Sequence, residues 1–474
     1  MTALLPGTDP RRRAAPDGSV LAGRPTASPR TSVRGDVVLA VVAVSVAIVV
    51  GLWVAGRGGQ DLFGGTAASL TSLGRVTGLV ASDLLLVQVL AMARIPWAER
   101  AFGQDRLARW HRLLGFSSFH LMLAHVVLIT FGYAASAQTG VLGELWSLIW
   151  TYPGMLLAMA GTAALVMVVV TSVRMARRRL RYESWHLLHL YAYLGVGLAL
   201  PHQIWTGADF VSSPLARLYW WTLYGVGLAA VLAYRLGVPL VRTLRHRVVV
   251  SRVVEEAPGV VSLHLSGRDL HKLPARPGQF FVWRFLDGPG WSRGHPYSLS
   301  ARPHASMLRI TVKDLGDGSR SLADLRPGTR VLLEGPYGAL TTDRRTRSAT
   351  TLLAAGIGIT PLRALLEELP PGATLLYRAR DESELVLGAE LDSLAAAHGH
   401  RIAYLLGPRA SDTSWLPASW AHVDDAAALR HLVPDIADHD VFVCGPDAWA
   451  DAAVAALGKA GVPTAQVHLE RFTY

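Results

Sequence analysis

Six apolar runs occupy the first half of this 474-residue chain, and they constrain its fold more than any other feature. Each run is close to the ~20 residues that one helix needs to cross a bilayer. After Arg247 no such run recurs, so the second half is expected to lie outside the membrane. We therefore predict a six-helix transmembrane bundle over residues 36–241. The runs are Val37–Ala55, Ser72–Ile95, Trp110–Ala134, Tyr152–Val173, Trp185–Pro201 and Leu218–Val238.

Positive charge is concentrated on one side of this predicted bundle. The formal net charge of +11 alone suggests a nucleic acid or a lipid surface as a partner. However, nineteen arginines fall on one side of the spans, and only Arg57, Arg75 and Arg217 fall on the other. Because cytoplasmic loops carry an excess of Lys and Arg, both termini should be cytoplasmic. We predict a multi-pass protein of the cell membrane with the lipid bilayer as its partner, and we exclude nucleic acid.

Two features of composition narrow the possibilities further. Residues 1–35 are rich in Pro, Ser, Gly and Arg, and we predict that they form a disordered cytoplasmic tail. The chain has a single cysteine, Cys444. One cysteine excludes a disulfide framework and any iron–sulfur cluster held by four cysteines.

Histidines lie inside two of the predicted spans, where ionisable side chains are costly and usually functional. The third span carries His111 and His125, and the fifth carries His189 and His202. At 1.5 Å per residue, the members of each set lie about 20 Å apart along the helix. Since both helices run outward, His111 should pair with His189 near the inner surface. His125 should pair with His202 near the outer surface. Two imidazoles flanking one iron suit a bis-histidine haem, so we predict two b-type haems.

Other aspects of these spans leave alternatives open. In an ideal helix His202 would lie about 140° from the face of His189. Pro201 is therefore expected to bend or unwind the helix. His120 should face another helix, and His186 should lie close to the inner haem. The alternative is that all six are core histidines with satisfied hydrogen bonds.

The hydrophobic pattern of the second half of the chain changes near residue 345. Over residues 246–345, period-two runs such as RVVVSRV and LRITVKD alternate with Gly/Pro turns, which is typical of a small antiparallel β-barrel. Over residues 346–474, strand-like runs such as ATTLLAAG and DVFVCG alternate with helices and predict a parallel α/β domain. Gly356 and Gly358 form a strand-to-helix turn there, which suits a pyrophosphate. A simple structural turn is the alternative.

The order of motifs resembles the ferric reductase / NADPH oxidase superfamily over residues 36–474. The two histidine pairs are followed by HPYSLS, EGPYG, AGIGITP, VCGP and a terminal HLERFTY. This resemblance implies an FAD-binding β-barrel over residues 246–345. It also implies an NAD(P)-binding α/β domain over residues 346–474, both of the ferredoxin reductase type.

The same resemblance implies roles for individual residues. Tyr297 would pack on the flavin and Ser298 would hydrogen-bond near its N5. Cys444 beside the nicotinamide and Phe472 over the flavin are the implied catalytic residues, although a buried thiol and core packing are the alternatives. Because the chain runs on to Tyr474, either terminal aromatic could stack. The implied FAD residues are His295, Pro296, Tyr297, Ser298, Gly318 and Ser319, and the implied nucleotide residues are Gly356, Gly358, Thr360, Pro361, Gly445 and Pro446.

Charged residues after the second strand of the last domain bear on the choice of nucleotide. Arg378 and Arg380 could pair with a 2′-phosphate, whereas Asp381 could accept a hydrogen bond from a free 2′-OH. Solvated surface charge is the alternative for all three. We favour NADPH over NADH.

Together these features predict a transmembrane oxidoreductase. Electrons would pass from cytoplasmic NAD(P)H through FAD and two bis-histidine haems to a small-molecule acceptor outside. Ferric chelate, dioxygen, cupric ion and quinone remain open as acceptors. One alternative is a histidine-lined transporter or sensor with a regulatory nucleotide module. A closer alternative keeps haem and flavin but donates electrons to a periplasmic partner protein.

Overall fold

Long helices make up the first half of the chain. The computed structural model describes residues 30–173, 182–211, 213–288 and 290–472, so residues 1–29 of the predicted tail lie outside the described part. Its long helices are α1 (Arg30–Ala55), α2 (Thr66–Ala91), α3 (Gln104–Ala137), α4 (Met155–Ser172), α5 (Tyr182–Trp205) and α6 (Pro214–Val231). A π-helical turn, Leu232–Gly237, and a helix, Val238–His246, extend α6. Shorter helices occupy Gly58–Asp61, Pro96–Phe102, Val141–Thr151 and Ala208–Val211.

Five helices in the described ranges are long and apolar enough to cross a membrane. They cover Val37–Ala55, Thr66–Ala91, Arg106–Ala137, Met155–Ser172 and Pro214–His246. Helix α5 has 24 residues but is not among them. Its sequence includes Glu183 and three histidines, which lower its mean hydropathy. The fifth predicted span, Trp185–Pro201, and with it the count of six, therefore stays a prediction. Pro201 lies inside α5, which continues to Trp205, so the expected unwinding is wrong.

Glycines allow the helices that carry the histidines to approach their neighbours closely. A Cβ added to Gly74 of α2 would lie 2.9 Å from the backbone nitrogen of Ile129 on α3. A Cβ on Gly161 of α4 would lie 2.7 Å from the carbonyl oxygen of Gly195 on α5. Small residues at such crossings are a common feature of membrane helix packing. They bring α2 against α3 and α4 against α5.

Two antiparallel sheets of three strands follow the helices. The first has the order β1-β2-β5 and the second β4-β3-β6. Apolar side chains of alternating strand positions fill the space between them, with Phe281 and Trp283 fully buried. Isolated bridges between the two sheets join Leu299 to Ile310 and Val249 to Arg330. We call these two bridged sheets the barrel, and their closure into a single sheet stays a prediction. The strands are β1 (Val249–Ala257), β2 (Val260–Ser266), β3 (Phe280–Phe285), β4 (His295–Ser298), β5 (Met307–Lys313) and β6 (Val331–Tyr337).

The last part of the chain is a parallel sheet with helices between its strands. Its order is β11-β10-β7-β8-β9, and every neighbouring pair is parallel. The strands are β7 (Thr350–Ala355), β8 (Thr374–Ala379), β9 (Arg401–Leu406), β10 (Asp440–Cys444) and β11 (Val467–Glu470). The helices are α7 (Ile359–Leu366), α8 (Gly388–His398), α9 (Asp425–Leu432) and α10 (Asp447–Lys459). Strands β7, β8 and β10 are completely buried, as their apolar sequences predict.

Strand β6 connects the helical half to the sheets. The guanidinium of Arg242, near the end of the last membrane helix, donates to the carbonyl oxygen of Gly335. The next residue, Thr243, accepts a hydrogen bond from the backbone N–H of Leu333 through its hydroxyl, at 3.3 Å. The helical extension of α6 therefore packs directly on the edge of the β4-β3-β6 sheet.

A second connection comes from the turn after α2. The guanidinium carbon of Arg94 lies 4.1 Å from the ring centroid of Tyr337, which is a cation–π geometry. Arg94 also forms an ion pair with Glu99 at 2.8 Å. The Tyr337 hydroxyl in turn donates to Glu334 at 2.9 Å. We call Arg94, Glu99, Glu334 and Tyr337 the junction cluster.

Candidate functional site

The inner histidines lie side by side on α3 and α5. The ring centroids of His111 and His189 are 5.8 Å apart, and the ring planes make an angle of 64°. The Nδ1 of His111 lies 3.4 Å from the carbonyl oxygen of Gln88. The Nδ1 of His189 lies 3.3 Å from the Ser172 hydroxyl, which donates its own hydrogen to a backbone carbonyl and so accepts from the imidazole. The predicted inner pair is therefore brought together.

The outer histidines are held by backbone carbonyls. The Nδ1 of His125 donates to the carbonyl oxygen of Gly74 at 2.7 Å, and the Nδ1 of His202 donates to that of Ala199 at 2.5 Å. The two imidazoles lie within electrostatic range of each other. A Cβ on Gly78 would lie 2.5 Å from the His125 Nδ1, so a larger residue at this position would displace the ring.

All four histidines share one tautomer. Their Nδ1 atoms face oxygen acceptors, so the hydrogen is assigned to Nδ1 and the lone pair to Nε2. Metal-bound histidines commonly have this arrangement, in which the second nitrogen fixes the ring orientation. Over the described ranges no group of three or more His, Cys, Asp or Glu side chains could hold a metal ion. Haem would bring its own ring nitrogens and would need two further nitrogen ligands, so each histidine pair fits this group.

The other two membrane histidines differ from these pairs. His120 is exposed on α3, and its Nδ1 lies 2.7 Å from the Phe116 carbonyl of the preceding turn. His186 lies within electrostatic range of Arg284 and Glu334 of the barrel. The expectation that His120 faces another helix is therefore wrong, because its exposed ring contacts Phe116 and Phe119 of its own helix. Neither His120 nor His186 belongs to a matched pair.

The residues of the flavin motif line one open cleft of about 280 Å³. The ring planes of His295 and Tyr297 are nearly parallel, with centroids 6.0 Å apart. A Cβ on Gly318 would lie 2.6 Å from the His295 ring, so glycine keeps the cleft open. Burial raises the pKa of Tyr297, which keeps its phenol neutral. The cleft is lined by Arg293, His295, Tyr297, Lys313, Leu315, Gly316, Asp317, Gly318 and Ser319.

The other two residues of this motif, Pro296 and Ser298, contribute through strand pairing. Pro296 pairs with Val282, and the buried Ser298 pairs with Phe280, so strand β4 holds the cleft against β3. Sequence reasoning missed Arg293 as a lining residue. Its place two residues before the HPYS motif was the available signal, because a cation there faces the same cleft.

The glycine turn lies where strands β7 and β10 end together. Gly356 has a φ of 52°, which favours glycine. A Cβ on Gly358 would overlap the carbonyl of Cys444, so the turn and the end of β10 are in direct contact. The hydroxyl of Thr360 donates to the Ile357 carbonyl at 3.0 Å and closes the turn. Pro361 follows in the first turn of α7.

Cys444 is completely buried at the end of β10. Burial raises its pKa well above the ordinary value, and the nearby Glu470 carboxylate acts in the same direction. The side chain is therefore a neutral thiol. Gly445 and Pro446 follow, and a Cβ on Gly445 would lie 2.7 Å from the Trp449 ring. The catalytic role of Cys444 stays a prediction.

A cluster of arginines lies near the end of β8. Arg378 is buried, and its guanidinium donates to the Gly407 carbonyl at 2.9 Å. Burial lowers the Arg378 pKa, and the charges of Arg409 and Arg380 lower it further, so an anion placed here would be stabilised. Asp381 is already engaged, since it accepts hydrogen bonds from the Ser383 hydroxyl and the next turn of backbone. The preference for a 2′-phosphate over a free 2′-OH stays a prediction.

The C-terminal strand reaches the barrel. A Cβ on Gly338, just after β6, would lie 3.5 Å from a carboxylate oxygen of Glu470 at the end of β11. Phe472 follows and is 38% exposed. Tyr474 lies outside the described residues, so the choice between the two aromatic residues stays open.

Comparisons with known proteins match both halves of the chain. Residues 77–200 match the family described as the ferric reductase like transmembrane component, and residues 352–455 match the oxidoreductase NAD-binding domain. A relative from Mycobacterium tuberculosis (strain ATCC 25618 / H37Rv) is the ferredoxin reductase component of 3-ketosteroid-9-alpha-monooxygenase, 34% identical over 231 residues. That match covers 46% of this chain and 62% of the relative.

Two more relatives concern the second half only. Ferredoxin–NADP reductase B of Sorangium cellulosum (strain So ce56) is 33% identical over 197 residues, which is 39% of this chain and 80% of the relative. A solved FAD/NAD-binding domain of nitric oxide dioxygenase from Vibrio cholerae O1 biovar El Tor is 25% identical with a TM-score of 0.40, covering 48% of this chain and 99% of that one. The chain belongs to the ferric reductase-like superfamily, in which a ferric-reductase-type transmembrane component is joined to a ferredoxin-reductase-type domain.

Proposed function

We propose that this protein carries electrons across the membrane. The donor is NADPH in the cytoplasm, FAD lies in the barrel cleft, and two b-type haems lie between paired histidines at two depths. The acceptor is a ferric chelate or dioxygen at the outer face. The observation that carries this proposal is the arrangement of four imidazoles in two pairs, each with Nδ1 engaged and Nε2 left as a ligand.

The redox chemistry belongs to the cofactors, since bound flavin converts a hydride into single electrons and haem iron relays them. The protein's task is to bind and orient. His111 and His189 would hold the inner haem, and His125 and His202 the outer one. Hydrogen bonds at Nδ1 fix the plane of each ring and make Nε2 a stronger ligand. The apolar helices around them exclude water.

The cytoplasmic residues position the two other cofactors. Tyr297 offers an aromatic face in the cleft, and Arg293 offers a cation to the pyrophosphate. Gly356 and Gly358 leave the backbone free to approach the nucleotide, as in other glycine turns at the carboxyl end of a strand. Arg380 and Arg378 supply positive charge for a 2′-phosphate. Binding of FAD and of the nucleotide by these residues requires no general acid or base.

Proteoliposomes test the proposal directly. NADPH is added on the side of the barrel, and a membrane-impermeant ferric chelate is trapped on the other side. We expect NADPH oxidation to be matched by reduction of the trapped chelate, or of dioxygen if oxygen is the acceptor. The variant His125→Leu should abolish transfer while flavin reduction survives.

A variant of the same helix serves as the control. His120→Leu removes an exposed imidazole that belongs to no pair, so transfer should be unchanged. If His125→Leu transfers electrons as fast as the native protein, the histidine assignment is wrong. A purified protein without haem absorbance would favour the transporter or sensor alternative.

A further inference from the structure

A buried acid in the membrane bundle has no place in the electron path described above. Asp83 lies in α2, and its side chain is completely buried. Its Oδ1 accepts from the Ser45 hydroxyl of α1 at 2.7 Å and from the Tyr219 phenol of α6. Its Oδ2 is buried and has no hydrogen-bond partner among the described residues. An ionisable side chain inside a span is a functional candidate by default.

The three oxygen atoms form a closed ring. Besides their contacts with Asp83, the hydroxyl oxygens of Ser45 and Tyr219 lie 2.8 Å from each other. Each short oxygen–oxygen contact needs one hydrogen between the atoms. Serine and tyrosine supply one hydrogen each, and an ionised carboxylate supplies none. With an ionised Asp83, two hydrogens would have to serve three contacts, and two lone pairs would face each other.

A proton on Asp83 removes this conflict. Its Oδ1–H can donate to Ser45, the Ser45 hydroxyl can donate to Tyr219, and the Tyr219 phenol can donate back to Oδ1. Every contact then contains one hydrogen. The unpartnered Oδ2 becomes the carbonyl oxygen of a neutral acid. Burying this oxygen without a hydrogen-bond partner costs less free energy than burying a carboxylate oxygen in the same way.

The surroundings also favour the neutral form. Leu79 and Leu86 of α2 and Trp220 of α6 belong to the apolar cluster around the site. Tyr219 is the only titratable side chain that faces Asp83 among the described residues, and α1 contributes only the Ser45 hydroxyl. The charged residue of the same helix, Arg75, is about 12 Å away along the axis and is paired with carboxylates of its own. No cation is therefore at hand to stabilise a carboxylate.

We propose that Asp83, Ser45 and Tyr219 form a proton-binding site inside the membrane, with the proton carried by Asp83 at neutral pH. Release of the proton breaks the Asp83 O–H bond, leaves a carboxylate and involves no electron transfer. Gly78, which adjoins the outer imidazole, and Gln88, which accepts from the inner one, lie five residues on either side. Asp83 is thus about 7.5 Å along the axis from each level.

Because of this position, the protonation state of Asp83 would affect electron transfer between the two histidine pairs. This effect rests on the proposed function. A carboxylate midway between the two levels would repel an electron that arrives at either histidine pair. The neutral acid leaves the path free of that charge. The proton itself does not depend on haem, because the ring of oxygen atoms involves no ligand of the proposed irons.

Infrared difference spectra of the full-length protein test the proposal. Native protein is compared with Asp83→Asn at neutral pH, with and without ¹³C-labelled aspartate. We expect the native protein to show one additional carbonyl band of a protonated carboxylic acid, which shifts with the label and in D₂O. If Asp83→Asn instead removes a carboxylate band, the proposal is overturned.

A second pair of variants keeps the test decisive if Asp83→Asn does not fold. Tyr219→Phe removes one hydroxyl of the ring and leaves the Ser45–Asp83 contact, which the Ser45 hydrogen can serve alone. The acid band should therefore shift or give way to a carboxylate band. Tyr224→Phe, on the same helix, removes a hydroxyl that bonds Gln203 instead and should leave the band unchanged. An acid band that is unchanged in Tyr219→Phe contradicts the proposal. A haem-free preparation gives the same readout, so failure of the haem assignment would be seen separately.

Discussion

Replacing Arg94 should loosen the contact between the membrane helices and the barrel. Arg94 is 12% exposed and its partner Glu99 is 10% exposed, so their ion pair is largely shielded from water. The same guanidinium lies over the Tyr337 ring. Arg94→Met keeps an unbranched apolar stem but removes the guanidinium and its charge, which leaves the Glu99 carboxylate buried without its ion-pair partner.

The size of the effect follows from these contacts. Breaking a buried ion pair by removing one partner costs about 3–5 kcal/mol. A desolvated cation–π contact contributes about 2 kcal/mol, part of which is included in that range. The opening equilibrium of the junction cluster should therefore increase by roughly 10²- to 4 × 10³-fold. The double variant Arg94→Met/Glu99→Gln removes both charges and should recover most of this loss.

The pH dependence of the single variant has a definite sign. Burial raises the pKa of Glu99, and the charges of Arg94 and Arg235 oppose that rise. Without Arg94 the pKa should rise further above its unfolded value. The variant then binds a proton more readily when folded, so its deficit should be smallest at low pH and grow as pH rises through that pKa.

Hydrogen exchange of backbone amides measures the opening. Amides of β6 around Tyr337 should exchange faster by the stated factor in Arg94→Met, and close to the native rate in the double variant. Arg245→Met, an exposed arginine on the last membrane helix, is the control and should have no effect. If Arg94→Met exchanges like the native protein, the junction cluster does not hold the two halves together.

Three further predictions concern other parts of the molecule. Gly78→Ala forces a methyl group against the His125 ring and should lower the free energy of unfolding by about 1–3 kcal/mol. Gly51→Ala, where an added Cβ meets nothing within 4 Å, should leave the free energy of unfolding unchanged. Arg380→Gln should raise the KM for NADPH about tenfold or more and leave that for NADH unchanged, because a charge-assisted bond contributes about 1.5–3 kcal/mol; equal effects on both would refute the 2′-phosphate assignment. Burial would raise the pKa of Asp440, but a histidine and two backbone N–H groups hold it below its usual value. Asp440→Asn should therefore destabilise the parallel sheet at pH 7, and the difference in unfolding midpoint should shrink as pH falls below about 4; a pH-independent difference would be inconsistent with an ionised Asp440.

Local sequence patterns predicted the elements and much of the site. Apolar length predicted five helices that are long and apolar enough to cross a membrane. Helix α2 begins six residues before its apolar run, and α3 extends beyond its run at both ends. Similar spacings on two helices, fourteen residues from His111 to His125 and thirteen from His189 to His202, were enough to predict that His111 meets His189. The glycine turn at Gly356 was visible because its backbone requirement is local.

Contacts between distant segments could not be predicted. Ser45, Asp83 and Tyr219 come from three helices, and no periodicity relates their positions. The contact of Arg94 with Tyr337 depends on how the turn after α2 meets β6, which local patterns do not encode. The predicted unwinding at Pro201 is wrong because α5 continues through this residue. Neighbouring helices can support a proline inside a membrane helix.

Haem content per chain is the most direct measurement of the central claim. Native protein, expressed with an ample supply of haem, should contain two haems per chain. His111→Leu and His125→Leu should each contain one, and His120→Leu should retain two. Native protein without haem, or the same content in all four proteins, would contradict the account.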